Sequence, residues 1–336
     1  MTKRILIIEV NWLGDVIFST PFIKAVREAY PDGYIACLIH PRCCEVIEGS
    51  PRINDIIIYD EEGAHKGLFG KLRLIREVRA KRFDTTFILH RSFTKALIAF
   101  LAGIKERIGY PTKGREWLLT KAVEGADEQV HKVEYFLNIA RGAGITPKDN
   151  SYEFFTDKSD DIFIERLLAE DGIKSGDKII TLCPGGNWDP KRWPKERFAG
   201  LAAKLSEKTG VKIAIAGAAK DVKLAEFIRN QAKIKAAITC GRTNIKQLGA
   251  LFKRSGLVIA NDTGPMHIAV ASGSKVIALF GPTAPALTGP YGRGNYKVIF
   301  KNNACTVPCY DLTCGENRCM SAIEIEDVVT EAEKLW

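Results

Sequence analysis

Long apolar runs are missing from this chain. The longest uncharged one, Ala96 to Ile104, is bracketed by Lys95 and Lys105 and falls far short of the roughly 20 residues a membrane-spanning helix needs. The opening Met1-Thr-Lys-Arg resembles an export signal only briefly. Glu9 and Asp15 interrupt the apolar region that follows, so it reads as a first strand and the expected compartment is the cytoplasm. Neither the dinucleotide Gly-x-Gly-x-x-Gly fingerprint nor the phosphate-loop Gly-x-x-x-x-Gly-Lys-Ser/Thr signature occurs, which weighs against oxidoreductases and nucleoside triphosphatases. Only five histidines are present, none near the clustered cysteines, and no Cys-x-x-Cys pair supports a structural zinc site.

What the chain does have is alternation. Its 336 residues suggest two domains. Strand patterns at Lys3–Val10, Tyr34–Ile39, Asp55–Tyr59 and Phe83–Leu89 are separated by helical stretches. One of these, Lys66–Lys81, has Leu68, Leu72, Ile75 and Val78 on one side. A polar segment, Thr146–Asp157, reads as a linker. A second series follows, with strands Lys178–Leu182, Lys212–Ala216, Ala237–Thr239, Leu257–Ala260 and Lys275–Phe280. The expected class is α/β, with two Rossmann-like doubly wound domains and ligands at the carboxyl ends of the strands. The expected domains are 1–157 and 158–324, with a last helix, 325–336, packing back toward the first.

Four strand-to-helix turns carry glycine: Gly14-Asp15, Pro184-Gly185-Gly186-Asn187, Gly217 to Asp221, and Asp262-Thr263-Gly264-Pro265. The last follows a buried-strand pattern. Asp262 or Thr263 can cap the next helix, and Pro265 fits just inside its start. Exposed N–H groups and a partial positive charge there suit a phosphate, and Gly264 allows close approach. The alternative is a cap and nothing more. Pro21 must lie in an early turn of the helix that follows Asp15. Charge is uneven: fourteen Lys/Arg face four acids between Lys66 and Lys121. That imbalance suits an acidic acceptor, an anionic membrane surface or nucleic acid, but no nucleic-acid motif accompanies it.

Gly14-Asp15-Val-Ile-Phe-Ser-Thr20-Pro21, Lys191-Arg192-Trp193-Pro194, Asn261-Asp262-Thr263-Gly264-Pro265-Met-His267 and Phe280-Gly281-Pro282-Thr283 occur in that order. Together they resemble glycosyltransferase family 9, the ADP-heptose:lipopolysaccharide heptosyltransferases, over nearly the whole chain. The resemblance implies an inverting transferase of GT-B arrangement that needs no metal or other cofactor. ADP-heptose would sit on the second domain, and the lipopolysaccharide inner core on the first, at the inner face of the cytoplasmic membrane. Asp15 would be the general base, although a helix start stabilises its charged form and weakens it as a base; a simple N-cap is the alternative. Lys191 would steady the departing ADP. Asn187, Asp262, Thr263, Gly264 and His267 would contact the donor, His267 having packing as its alternative role. Asp221 would bind the ribose and Thr243 would line the adenine pocket.

Arg91, Lys95, Lys113 and Arg115 form a candidate patch for acceptor carboxylates and phosphates. Cys305, Cys309, Cys314 and Cys319 fall within fifteen residues. Metal binding, a disulfide and unliganded thiols all remain open for them. The other five cysteines read as buried packing residues.

Overall fold

A computed structural model describes residues 2–125, 129–301, 305–309, 311 and 313–336. The chain divides into two compact units, Met1–Glu153 and Phe154–Trp336. The break falls inside the polar segment expected to be a linker, four residues before the boundary expected at 157. Each unit is a six-stranded parallel sheet covered by helices.

In the first unit the strands are β1 (Arg4–Ile8), β2 (Tyr34–Ile39), β3 (Asp55–Ile58), β4 (Thr85–Ile88), β5 (Glu106–Gly109) and β6 (Lys121–Ala122). They stand in the order β3-β2-β1-β4-β5-β6. The chain turns one way from β1 through β2 to β3, then returns to start β4 on the other side. The switch point therefore lies between β1 and β4, where such sheets bind ligands. The longer helices are α1 (Leu13–Ala29), α2 (Gly67–Ala80), α3 (Phe93–Leu101) and α4 (Lys132–Gly142).

Two helical expectations need correction. Pro21 sits in the middle of α1, not in an early turn. Its missing N–H would have met the carbonyl of Ile17. The Thr20 hydroxyl donates to that oxygen instead, at 2.7 Å, so the break in the ladder is repaired by the preceding side chain. In α2 the buried face is Leu74, Ile75 and Val78. Leu68 and Leu72 are exposed.

In the second unit the strands are β7 (Ile179–Cys183), β8 (Lys212–Ile215), β9 (Ala236–Ile238), β10 (Leu257–Asn261), β11 (Val276–Phe280) and β12 (Tyr296–Phe300). Their order is β12-β11-β10-β7-β8-β9, with the switch point between β7 and β10. The central strands β7, β10 and β11 are buried along their whole length, as a sheet covered on both faces requires. The helices are α5 (Lys158–Glu170), α6 (Lys195–Thr209), α7 (Val222–Ala232), α8 (Ile245–Arg254), α9 (Gly264–Ala271) and α10 (Ile325–Leu335). The last was expected to pack toward the first domain. Val328, Val329, Ala332 and Leu335 on its apolar face join the core of the second unit beside Leu201 and Leu205 of α6.

Candidate active site

In the second unit the turns after β7 and β10 meet across the switch point, and Asn261 ties them. Its side chain is fully buried. Nδ2 donates to the Pro184 carbonyl at 2.8 Å, and Oδ1 accepts the Trp193 N–H at 3.2 Å. A buried amide satisfied on both ends fixes both turns.

The next residue, Asp262, is 4% exposed. Its Oδ2 accepts Lys191 Nζ at 2.7 Å and the Thr283 hydroxyl at 2.5 Å. His267 Nε2 lies 3.9 Å from Oδ1, too far for a hydrogen bond. The structure thus brings together four residues from the motifs after β7, β10 and β11. Lys191 has one carboxylate partner at bonding distance and carries three donors, which leaves it able to meet a phosphate. Asp262, placed beside an anion site, holds that ammonium in position and offsets part of its charge.

Thr263 occupies the N-cap position of α9, with Gly264 as its first residue and Pro265 next. The Thr263 hydroxyl donates to the Asn261 carbonyl at 3.2 Å and makes no side-chain cap bond. In the first helical turn Pro265 has no N–H and Met266 donates to the Thr263 carbonyl at 3.1 Å, so Gly264 supplies the N–H at the helix start, and Lys191 is held nearby through Asp262. This is the arrangement that suits a diphosphate.

The turn after β8 is built around Asp221. Asp221 is only 6% exposed, and its Oδ2 accepts the Ala218 N–H at 2.9 Å. A Cβ placed on Gly185 would fall 2.5 Å from that same oxygen. Asp221 therefore shapes the floor between two glycine turns. Asn187 is exposed and accepts Lys220 Nζ at 2.6 Å. Thr243 is half-buried, directly before Asn244, which caps α8.

The cysteine segment packs on these same turns. Cys309 N–H donates to the Pro282 carbonyl at 2.7 Å, and Asn317 Nδ2 to the Arg192 carbonyl at 2.9 Å. Among the described residues no group of three or more His, Cys, Asp or Glu is arranged to hold a metal, and Cys305, Cys309, Cys314 and Cys319 are free thiols. Of the other five cysteines, Cys44 is half-buried and the rest are buried.

In the first unit the turn after β1 leads into α1, with Trp12 at the N-cap position and half-buried Asp15 in the first helical turn. Asp15 is therefore not the cap. Lys95, from α3, reaches back across the switch point to hold this turn. It is 1% exposed, and Nζ donates to the Glu9 carbonyl at 2.9 Å and to Asn11 Oδ1 at 2.6 Å. Arg42 adds a bond from Nε to the Asn11 carbonyl at 2.8 Å and lies over the Trp12 ring at 4.3 Å.

Beneath the turn is a buried carboxyl, Glu9. Burial pushes it up to about 7, against the opposing pull of the Ser19 hydroxyl, the Val10 N–H and Lys95. Burial likewise pulls Lys95 down to about 8. His90 is pulled down to about 3 by burial and by the neighbouring Lys95, Arg115 and Lys113 charges, so it is neutral at physiological pH.

Of the four basic residues expected to form an acceptor patch, two are scaffolding. Lys95 holds the Asp15 turn. Arg115 is fully buried, with Nε on the Tyr110 carbonyl at 2.9 Å and a terminal nitrogen on the carbonyls of His90 and Ser92. Arg91 and Lys113 are exposed. Sequence reasoning assigned no role to Asn261, Thr283 or Glu9. A lone polar residue ending an apolar strand, as at Asn261 and Glu9, was the available signal.

Comparison with known proteins decides the family. The pattern of glycosyltransferase family 9 (heptosyltransferase) matches residues 71–319. The chain belongs to that family. It is 28% identical over 297 residues to lipopolysaccharide heptosyltransferase 2 of Salmonella typhimurium, covering 85% of each chain. It is 28% identical over 330 residues to lipooligosaccharide heptosyltransferase 2 of Campylobacter jejuni, covering 97% of this chain and 96% of that one. Among solved structures, a family 9 glycosyl transferase from Veillonella parvula superposes with a TM-score of 0.92 at 27% identity, covering 99% and 97%. The ADP-heptose heptosyltransferase II of E. coli shares the fold, with a TM-score of 0.81 at 24% identity, covering 99% and 98%. As a family 9 member the chain is a glycosyltransferase.

Proposed function

We propose that this heptosyltransferase-family chain moves L-glycero-D-manno-heptose from ADP-heptose to the inner core of lipopolysaccharide, with inversion at the anomeric carbon. The observation that carries the donor half is the Lys191–Asp262 contact of 2.7 Å beside the start of α9, a cation next to the positive end of a helix whose first residue is Gly264, which supports a diphosphate site. The identity of the substrates rests on family membership and on the relatives named heptosyltransferase 2.

In this reading Asp15 takes the proton from the acceptor hydroxyl. The acceptor oxygen attacks the anomeric carbon as the bond to the β-phosphate oxygen of ADP breaks, and one displacement inverts the centre. ADP leaves with the electron pair, steadied by Lys191 and the N–H groups around Gly264. Thr263 and His267 flank that site, while Asn187 and Thr243 lie toward the nucleoside. Asp221 binds the donor ribose from the turn it shapes. No metal is assigned a step. Arg91 and Lys113 remain the exposed candidates for the acceptor's anionic groups. The acceptor is lipid-linked, so the enzyme works in peripheral contact with the inner face of the cytoplasmic membrane.

The test is incubation with ADP-heptose and a heptose-free inner-core acceptor, with the linkage of the product read by NMR. An added heptose of inverted anomeric configuration supports the proposal. Retention at that centre, or transfer only from a different nucleotide-sugar, points to the second reading, a related transferase of other specificity.

A further inference from the structure

Twelve large hydrophobic side chains are exposed among the described residues, and only two of them, Ile162 and Val298, belong to the second unit. Seven fall between Lys66 and Lys121, the stretch that also holds the basic excess. They form two groups on neighbouring elements. In the first turn of α2, Leu68 is 70% and Phe69 87% exposed, with Leu72 one turn on. The second group is an aromatic cluster in which Trp117, 63% exposed, contacts Phe93 of α3 at 6.1 Å and Phe100 at 5.9 Å between ring centroids. Leu101, at the end of α3, is exposed beside it and its carbonyl accepts from Arg79 of α2, so the two helices meet.

Cations surround both groups. Lys66, Arg73, Arg76 and Arg79 are exposed around the α2 residues, and Lys105 follows α3. Leu68 and Phe69 stay exposed in the folded chain, so their apolar surface contributes little to folding. An apolar and aromatic surface ringed by Lys and Arg matches the physics of an interfacial helix, where rings and aliphatic chains enter the headgroup boundary and cations meet anionic lipid. A second copy of the chain fits poorly, because a two-fold contact would set this basic face against itself. A nucleic acid would use the cations but leave Leu68, Leu72 and Leu101 without a partner.

We propose that the first turn of α2, together with the Phe93–Phe100–Trp117 cluster, is a docking surface for an anionic lipid bilayer. It rests on the membrane contact in the proposed function and names the surface and the lipid charge. The experiment uses vesicles without acceptor or donor, so its outcome is independent of transferase activity.

The full chain is sedimented with phosphatidylcholine vesicles, with and without phosphatidylglycerol. Binding should require the anionic lipid and weaken as salt rises. The exposed double substitution Leu68→Glu/Phe69→Glu should weaken binding by about tenfold or more, and so should Arg73→Glu/Arg76→Glu. Melting temperature, ADP affinity and transfer to a delipidated soluble acceptor should stay at wild-type levels. Equal binding to both vesicle types, or unchanged binding by both variants, overturns the proposal. So does a wild-type dimer that Leu68→Glu/Phe69→Glu dissolves, or oligonucleotide binding that displaces the vesicles and survives that substitution.

Discussion

Lys191 Nζ stands 2.7 Å from Asp262 Oδ2, a contact that joins the turn after β7 to the turn after β10. The same oxygen holds the Thr283 hydroxyl, so three strand-end turns share one buried carboxylate. In the proposed reaction this ammonium meets the charge that develops on the leaving diphosphate. Lys191→Met should therefore weaken ADP binding by about tenfold, and it should lower kcat by a further 10²-fold or so because the departing charge loses its cation. Calorimetry with ADP and steady-state kinetics separate the two effects. A variant with lowered affinity and unchanged kcat would remove Lys191 from the chemical step.

Gly185 is required by its neighbour. Its absent Cβ would lie 2.5 Å from Asp221 Oδ2, and that oxygen is fixed by the Ala218 N–H. Gly185→Ala should displace the turn, cost on the order of 1–3 kcal/mol as an overpacked site does, and reduce ADP affinity with it. Thermal denaturation and ADP titration check both. Wild-type values in both would show that the turn has room to relax.

Thr20 repairs α1. Its hydroxyl donates to the Ile17 carbonyl and accepts the Glu153 N–H at 3.1 Å. Thr20→Val keeps the shape but leaves both groups unpaired, at a cost of roughly 1–3 kcal/mol. Urea denaturation should show the loss, with the KM for donor unchanged.

Glu9 gives the first unit a pH signature. Its carboxyl is raised from 4.5 to about 7 by burial, so between those values the folded state holds a proton that the unfolded state has lost. Folding stability from this group is present at about pH 4.5 and below, declines as pH rises toward about 7, and is gone above it, a change on the order of 3 kcal/mol. Glu9→Gln should flatten that decline. Urea midpoints for both proteins at pH 5 and pH 8 test it. Parallel pH dependence in wild type and variant would show that Glu9 is not the titrating group.

Most of this architecture was readable from the sequence. Buried strands such as Ile179–Cys183 and Leu257–Asn261 are continuous apolar runs, and the motifs at their ends marked the site. Short or edge strands escaped notice: Lys121–Ala122 spans two residues, and Tyr296–Phe300 carries Lys297 at the sheet margin. Helices α3 and α4 were not identified because neither carries a clear start signal of the Ser/Thr/Asp-to-Glu kind. At the site, residue type misled where a side chain turned inward. A lysine and an arginine read as surface contacts, Lys95 and Arg115, turn inward and donate to backbone carbonyls. Sequence shows the donors but not the distant carbonyls that claim them.

The account turns on Asp15, held by a turn whose Asn11 is fixed by Lys95 and by Arg42. The decisive measurement is heptosyl transfer from ADP-heptose to an inner-core acceptor by wild type and Asp15→Asn, with ADP affinity measured alongside. The account predicts unchanged ADP affinity and a fall in kcat of about 10²–10⁴-fold, the usual contribution of a general base. An Asp15→Asn enzyme that turns over within about tenfold of wild type would contradict it.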